Sequence, residues 1–215
     1  MSDFILFDLD GTLTDPGEGI TNSVAYALKK YGIEVEDKRS LNTFIGPPLH
    51  ESFQKYYNFS ILQSFDAVSK YREYYRDRGI FENRVYDGIP ELLSALKAAG
   101  KTLIMATSKP TVFAERIAEH YGFRNCFDII VGSELDGRRV DKAEVIKEAL
   151  GQAGDPCPEC CVMIGDRLHD ILGAKKNSLP CIGVLYGYGS AEELSEAGAD
   201  TIVETVSALS ELLLK

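Results

Sequence analysis

The chain has 215 residues, 45% hydrophobic and 26% charged, proportions that suit a soluble globular protein with a sizeable core. Its net charge of −10 leaves no excess of Lys and Arg to displace counterions, which argues against nucleic-acid polymers and anionic membrane surfaces as partners. No charged-then-apolar leader opens the sequence and no apolar run approaches the ~20 residues that span a bilayer, so a cytoplasmic location is expected. Cys126, Cys157, Cys160, Cys161 and Cys181 are expected to be reduced thiols. Cys157-Pro158-Glu159-Cys160 has C-x2-C spacing, but no second Cys/His pair follows to complete a zinc site, so a structural or incidental role is expected.

Taken in order, the apolar run Phe4-Ile5-Leu6-Phe7 feeds directly into Asp8-Leu9-Asp10-Gly11-Thr12. It reads as a buried strand, and ligands of open α/β sheets bind outside the carboxyl ends of such strands. On an extended backbone Asp8 and Asp10 project to the same side while Leu9 projects to the other. Two carboxylates sharing one small volume call for a cation, and hard oxygen donors point to Mg²⁺.

After Asp15-Pro16 the period changes to that of a helix: Ile20, Val24, Ala27, Leu28 and Tyr31 share one face, and Gly32 reads as its stop. Further helices are predicted from Leu49-Phe53-Tyr56-Tyr57 and from Phe65-Val68-Tyr71-Tyr75, with the Gly-Pro-Pro stretch of Phe44–Leu49 a stiff loop. From Val85 onward strands alternate with helices. Strands are predicted at Thr102–Ala106, Ile129–Gly132, Cys161–Ile164, Pro180–Val184 and Thr201–Val203. Helices are predicted after Gly88 and at about Val112–Tyr121, Lys142–Ala149, Asp170–Lys176 and Val206–Leu214. The expected fold is therefore α/β: a Rossmann-like parallel sheet sandwiched by helices, residues 1–15 and 85–215, with an inserted all-helical cap domain, residues 16–84. An insertion directly after Asp8-Leu9-Asp10 is expected to act as a lid on the site, hinged near Thr14-Asp15-Pro16 and Arg84-Val85.

Four polar groups fall where predicted strands end or the next helix begins: Asp8/Asp10, Thr107-Ser108, Lys142, and Gly165-Asp166 with Asp170. In a parallel sheet those ends converge on one edge. Together they resemble the four ordered motifs of the haloacid dehalogenase superfamily of phosphohydrolases, and the helical insertion resembles that superfamily's small α-helical cap. The likeness covers essentially the whole chain. It departs from many relatives at Arg139-Val140-Asp141-Lys142-Ala143, which lacks Lys-Pro-x-Pro and leaves a neighbouring lysine open in place of Lys142.

The chemistry of phosphoryl transfer gives each group a role. Asp8 is the candidate nucleophile, forming an aspartyl-phosphate. Asp10 is the candidate acid and then base, giving a proton to the leaving oxygen and taking one from the hydrolytic water. Mg²⁺ is expected on the Asp8 carboxylate, the Asp10 backbone carbonyl and Asp166, with Asp170 orienting metal-bound water. Thr107 and the Ser108 N–H are the candidate phosphoryl donors, and Lys142 offsets the negative charge. Asp15 reads as a turn residue before Pro16, and His50, His120 and His169 read as surface or helix-start residues.

An acid at position 10 has no use in dehalogenation, so the resemblance implies hydrolysis of a small phosphorylated metabolite by a monomer or homodimer. The cap loop Phe44–Leu49 and the segment Gly183–Gly189 look most like the phosphoglycolate phosphatase branch. The alternative is a 5'-nucleotidase acting on nucleoside monophosphates, with pyrophosphatase, phosphosugar mutase and phospho-receiver readings behind it. Tyr56, Tyr57, Tyr71, Tyr74 and Tyr75 could stack on a base, although aromatics at helical spacing more simply form a cap core.

Overall fold

The computed structural model describes residues 2–215, and the chain divides into two compact units. One comprises the residues up to Thr14 together with Val85–Lys215; the other is Asp15–Arg84.

The first unit is built on a six-stranded parallel sheet. Its strands are β1 (Phe4–Phe7), β4 (Thr102–Pro110), β5 (Ile129–Ser133), β6 (Cys161–Gly165), β7 (Cys181–Val184) and β8 (Thr201–Val203), in the order β5-β4-β1-β6-β7-β8. The labels β2 and β3 go to two short strands, Thr14–Asp15 and Arg84–Val85, which pair as a ribbon. Helices α4 (Ile89–Ala98), α5 (Thr111–His120), α6 (Lys142–Gln152), α7 (Leu168–Lys176), α8 (Ala191–Glu196) and α9 (Val206–Leu213) complete this unit. Strands buried on both faces read as continuous apolar runs, which is why Phe4–Phe7 and Cys161–Gly165 show no alternation. Leu6, Ile104, Val131, Met163 and Cys181 from five strands share one core cluster with Val145, Ile146 and Ile171 of α6 and α7.

Register decides what reaches the sheet edge. Phe7 lies opposite Met105 of β4 and Ile164 of β6. Asp8 is therefore one residue beyond that line, while Thr107 and Asp166 are each two beyond it. The order reverses direction at β1, since β4 flanks one side and β6 the other, and such a switch point is where an open sheet leaves room for a ligand.

The second unit consists of α1 (Gly17–Lys29), α2 (Leu49–Tyr57) and α3 (Ile61–Tyr75), with short 3-10 turns at Lys38–Phe44 and Gly79–Phe81. The apolar face of α1 is buried through Ile20, Val24, Ala27 and Leu28, and Ser60 and Gln63 form a capping box that starts α3. Gly19 is required where α1 crosses the Gly79 turn: a Cβ there would lie 1.9 Å from the Gly79 carbonyl oxygen. Tyr71 and Tyr75 are buried and stacked on each other, and Tyr74 donates to Glu82, so these three tyrosines belong to the unit's own packing.

The cysteine expectation is corrected at one pair. A 3-10 turn over Pro158–Cys160 brings the Cα atoms of Cys157 and Cys160 to 5.3 Å, within disulfide range, and the two are bonded. Cys126, Cys161 and Cys181 are free thiols. Among the described residues no helix is long and apolar enough to cross a membrane.

Candidate active site

Asp8 follows β1 immediately, and its backbone N–H donates to the Ile164 carbonyl, which continues the ladder to β6 by one bond. The chain then turns sharply: Gly11 N–H donates to Thr14 O at 2.7 Å, and Leu13 and Thr14 N–H both donate to Leu9 O. Gly11 has φ +86°, and a Cβ on it would lie 2.1 Å from Asp166 Oδ2. Glycine is thus demanded twice, by the backbone and by the carboxylate packed against it.

Asp166 follows β6 and is fully buried. Its Oδ1 accepts from Thr12 Oγ1 at 3.3 Å and its Oδ2 from the Tyr188 N–H at 2.8 Å. The segment after β7 closes in here, because a Cβ at Gly187 would lie 2.3 Å from Gly11 O and 2.5 Å from Asp166 Cβ. Tyr186 beside it packs its ring edge-on to Tyr86, with its hydroxyl buried. Asp170, in the first turn of α7, is buried, and its Oδ2 accepts from the Arg167 N–H at 3.0 Å.

Asp8, Asp166 and Asp170 each place a carboxylate oxygen within 4.8 Å of the others. Burial, Asp170 and Asp8 push the Asp166 carboxyl well above its ordinary range. Burial also raises Asp170, against the pull of Lys142. Three buried, mutually repelling carboxylates are an oxygen donor set that fits a hard dication such as Mg²⁺. Both Asp170 oxygens hold donors, Lys142 on Oδ1 and the Arg167 N–H on Oδ2, as both Asp166 oxygens do from Thr12 and Tyr188.

Lys142 opens α6, behind Asp141, whose side chain accepts from the Ala143 N–H at 2.7 Å and caps the helix. Its ammonium is 2.5 Å from Asp8 Oδ1 and 2.7 Å from Asp170 Oδ1, with its side chain 3% exposed. Burial works against the ammonium, but Asp170 and Asp8 together outweigh it and push the Lys142 pKa up to about 12. Gly173 makes room, since a Cβ there would press on Lys142 Cγ at 3.0 Å. Lys142, the lysine that the sequence motifs single out first, is joined to Asp8.

Thr107 is buried near the end of β4, and its Oγ1 accepts from the Lys109 N–H at 3.2 Å. The Ser108 carbonyl accepts from Ser133 Oγ at 2.8 Å, tying this segment to β5. Asp10 pairs with a residue that sequence reasoning missed: Lys109 Nζ lies 2.7 Å from Asp10 Oδ2. The signal was present, because Lys109 stands two residues after Thr107 on an extended chain and so shares its side. The other Asp10 oxygen, Oδ1, is buried without a hydrogen-bond partner. Burial raises the Asp10 carboxyl, opposed by Lys109 and reinforced by Asp8. Asp15 belongs to the second unit, where it accepts from the Gly17 N–H at 3.1 Å and pairs with Arg84 at 2.8 Å, as a turn residue would.

A buried carboxylate at a strand end, beside a lysine and two further acids, on a parallel sheet interrupted after its first strand by a helical unit, is the arrangement expected of a phosphohydrolase of the haloacid dehalogenase type. The sequence profile of the haloacid dehalogenase-like hydrolases matches residues 5–184, and the chain belongs to that family. A 5'-nucleotidase of Pseudomonas aeruginosa is 55% identical over 190 residues, spanning 88% of this chain and 86% of that protein. Tyrosine-protein kinase PtkA of Mycobacterium tuberculosis is 38% identical, over 97% of this chain and 70% of its own length. A phosphoglycolate phosphatase of Colwellia psychrerythraea is 28% identical over 95% and 94% of the two chains. The crystal structure of a predicted phosphatase from Clostridium acetobutylicum superposes with a TM-score of 0.96 at 52% identity, over 100% and 99% of the two chains. The protein is a phosphatase of this family.

Proposed function

We propose that the protein hydrolyses nucleoside 5'-monophosphates in a Mg²⁺-dependent reaction that passes through a phosphoryl group on Asp8. The observation that carries the chemistry is the pairing of Asp8 with Lys142 at 2.5 Å inside a cluster that also holds Asp166 and Asp170. The substrate choice is supported by the 55% identity to a 5'-nucleotidase, against 28% to a phosphoglycolate phosphatase. We therefore favour the nucleotide over phosphoglycolate, the substrate to which the cap loop and late glycine-rich segment point by sequence alone.

In the first step an Asp8 carboxylate oxygen attacks phosphorus, the bond from phosphorus to the leaving oxygen breaks, and Asp10 gives that oxygen a proton. In the second step water attacks the phosphorus, Asp10 takes the proton back, and the bond between Asp8 and phosphorus breaks. Thr107 and the Ser108 N–H donate to phosphoryl oxygens, and Lys142 neutralises charge shared by Asp8 and the phosphoryl group. Asp8, Asp166 and the Asp10 carbonyl would hold the Mg²⁺, which when bound supplies charge neutralisation at the phosphoryl oxygens, and Asp170 orients its water. The inserted helical unit acts as the cap that selects the leaving group, and the enzyme works on small cytoplasmic metabolites as a monomer or homodimer.

The test is kcat/KM measured with Mg²⁺ across nucleoside 5'-monophosphates, phosphoglycolate and sugar phosphates. A nucleotide should rank first. A higher value for phosphoglycolate would overturn the substrate, and hydrolysis of none of them would overturn the function.

A further inference from the structure

Four acids crowd the ends of β1 and β6, and two buried lysines divide three of them, Asp166 being held by Thr12 and the Tyr188 N–H. Lys142 holds Asp8 and Asp170, while Lys109, whose side chain is 6% exposed, holds Asp10. The second pairing is asymmetric at Asp10: Oδ2 receives the ammonium at 2.7 Å, and Oδ1 is buried with no partner. A free carboxylate presents two equivalent oxygens and turns about its last bond. An ammonium fixed on one oxygen removes that equivalence and stops the carboxylate from turning.

We propose that Lys109 is a positioning residue for proton transfer: by fixing Oδ2 of Asp10 it holds the carboxyl group in the one orientation from which it exchanges the proton with the leaving group and with the attacking water. The inference rests on the reading of Asp10 as acid and base. The same residue also orients the phosphoryl donor through its main chain. Because Thr107 Oγ1 accepts from the Lys109 N–H, the Thr107 hydroxyl hydrogen points elsewhere and is available to a phosphoryl oxygen. A side-chain substitution at 109 retains that main-chain contact and so isolates the ion pair.

The test uses p-nitrophenyl phosphate, whose leaving group departs without a proton from Asp10, so dependence on Asp10 falls on the release of the phosphoryl group by water. In Lys109→Met, kcat should fall by about 10- to 100-fold, the loss expected when a catalytic group is misplaced. KM should not rise, and a rapid burst of one nitrophenolate per site should appear as phosphoryl accumulates on Asp8. Lys109→Arg should recover most of the rate. In an Asp10→Asn background, Lys109→Met should add no further loss, because the pair acts as one unit.

A kcat within about threefold of wild type, a raised KM at unchanged kcat, or a loss that adds fully to that of Asp10→Asn would each overturn the proposal. Lys109→Gln, which keeps a donor without the charge, carries the same test should the methionine variant fail to fold. Failure of both to fold marks the pair as a folding element and also overturns it. If wild type hydrolyses no phosphate ester and Asp10→Asn traps no phosphoryl group, the proposed function itself has failed. If those two behave as described and Lys109→Met turns over like wild type, only this inference has.

Discussion

Replacing Lys142 by Met removes a cation that touches both Asp8 and Asp170, at 2.5 and 2.7 Å, while keeping most of the side-chain volume beside Gly173. At an effective dielectric of about 20, each contact is worth roughly 6 kcal/mol of gross attraction, most of it offset by the cost of burying the charges. Removing one partner of such a buried pair leaves uncompensated charge and costs about 3–5 kcal/mol of stability. On the reaction, losing a preorganised positive group at the phosphoryl site should lower kcat by about 10²–10³. The two effects are read separately, by urea unfolding and by hydrolysis of p-nitrophenyl phosphate with saturating Mg²⁺. Unchanged unfolding together with a kcat within about threefold of wild type would refute the charge balance described for this site.

Gly11→Ala should abolish activity, because its Cβ would fall 2.1 Å from Asp166 Oδ2; Gly100→Ala, at φ +76° with open space around it, is the control, carrying only the left-handed backbone cost of about 1–2 kcal/mol. Full activity in Gly11→Ala would contradict the placement of Asp166. Chelation with EDTA should stop hydrolysis and added Mg²⁺ restore it, with a rise in Tm as the ion binds only the folded site; a Tm indifferent to Mg²⁺ would remove the metal from the account. Asp128 gives a pH test away from the site. Burial tends to raise its carboxyl, but Lys97 and the Leu103 N–H outweigh burial and hold it below the ordinary range. Its contribution to stability is therefore complete above that range and is lost as pH falls through the depressed value. The stability gap between wild type and Asp128→Asn should shrink between neutral pH and about pH 3, and a gap that widens would refute the assignment.

The apolar runs made the sheet legible. Phe4–Phe7 and Cys161–Ile164 are too continuous to be half-exposed strands, and Thr201–Val203 falls where the β-branched residues put it. Local patterning could not anticipate the 3-10 turn at Lys38–Phe44, whose buried Leu41 and Phe44 are placed by tertiary contacts, nor the six-residue α8, too short for a period to show. Strand β4 runs on to Pro110, beyond the predicted Ala106, because Ser133 and Thr111 tie the extra residues to β5. At the site, Asp8 was legible as an acid ending an apolar strand, whereas Asp166 and Asp170, which alone would read as a helix start, were legible only as the last of four ordered motifs. Lys109 was not, because a lysine before a proline reads as a solvated turn residue until Asp10 is seen against it. The Cys157–Cys160 bond was missed for a related reason: spacing in sequence does not reveal the turn that brings the two together.

The central claim is that Asp8 carries the phosphoryl group and Asp10 moves the protons. The most direct measurement is intact-mass and peptide mapping of Asp10→Asn after incubation with Mg²⁺ and p-nitrophenyl phosphate. The account predicts one phosphoryl group per chain, on Asp8 and labile to hydroxylamine, because its release by water lacks a base. Turnover at the wild-type rate with no phosphoryl group on Asp8, or a phosphoryl group on a different residue, would contradict it.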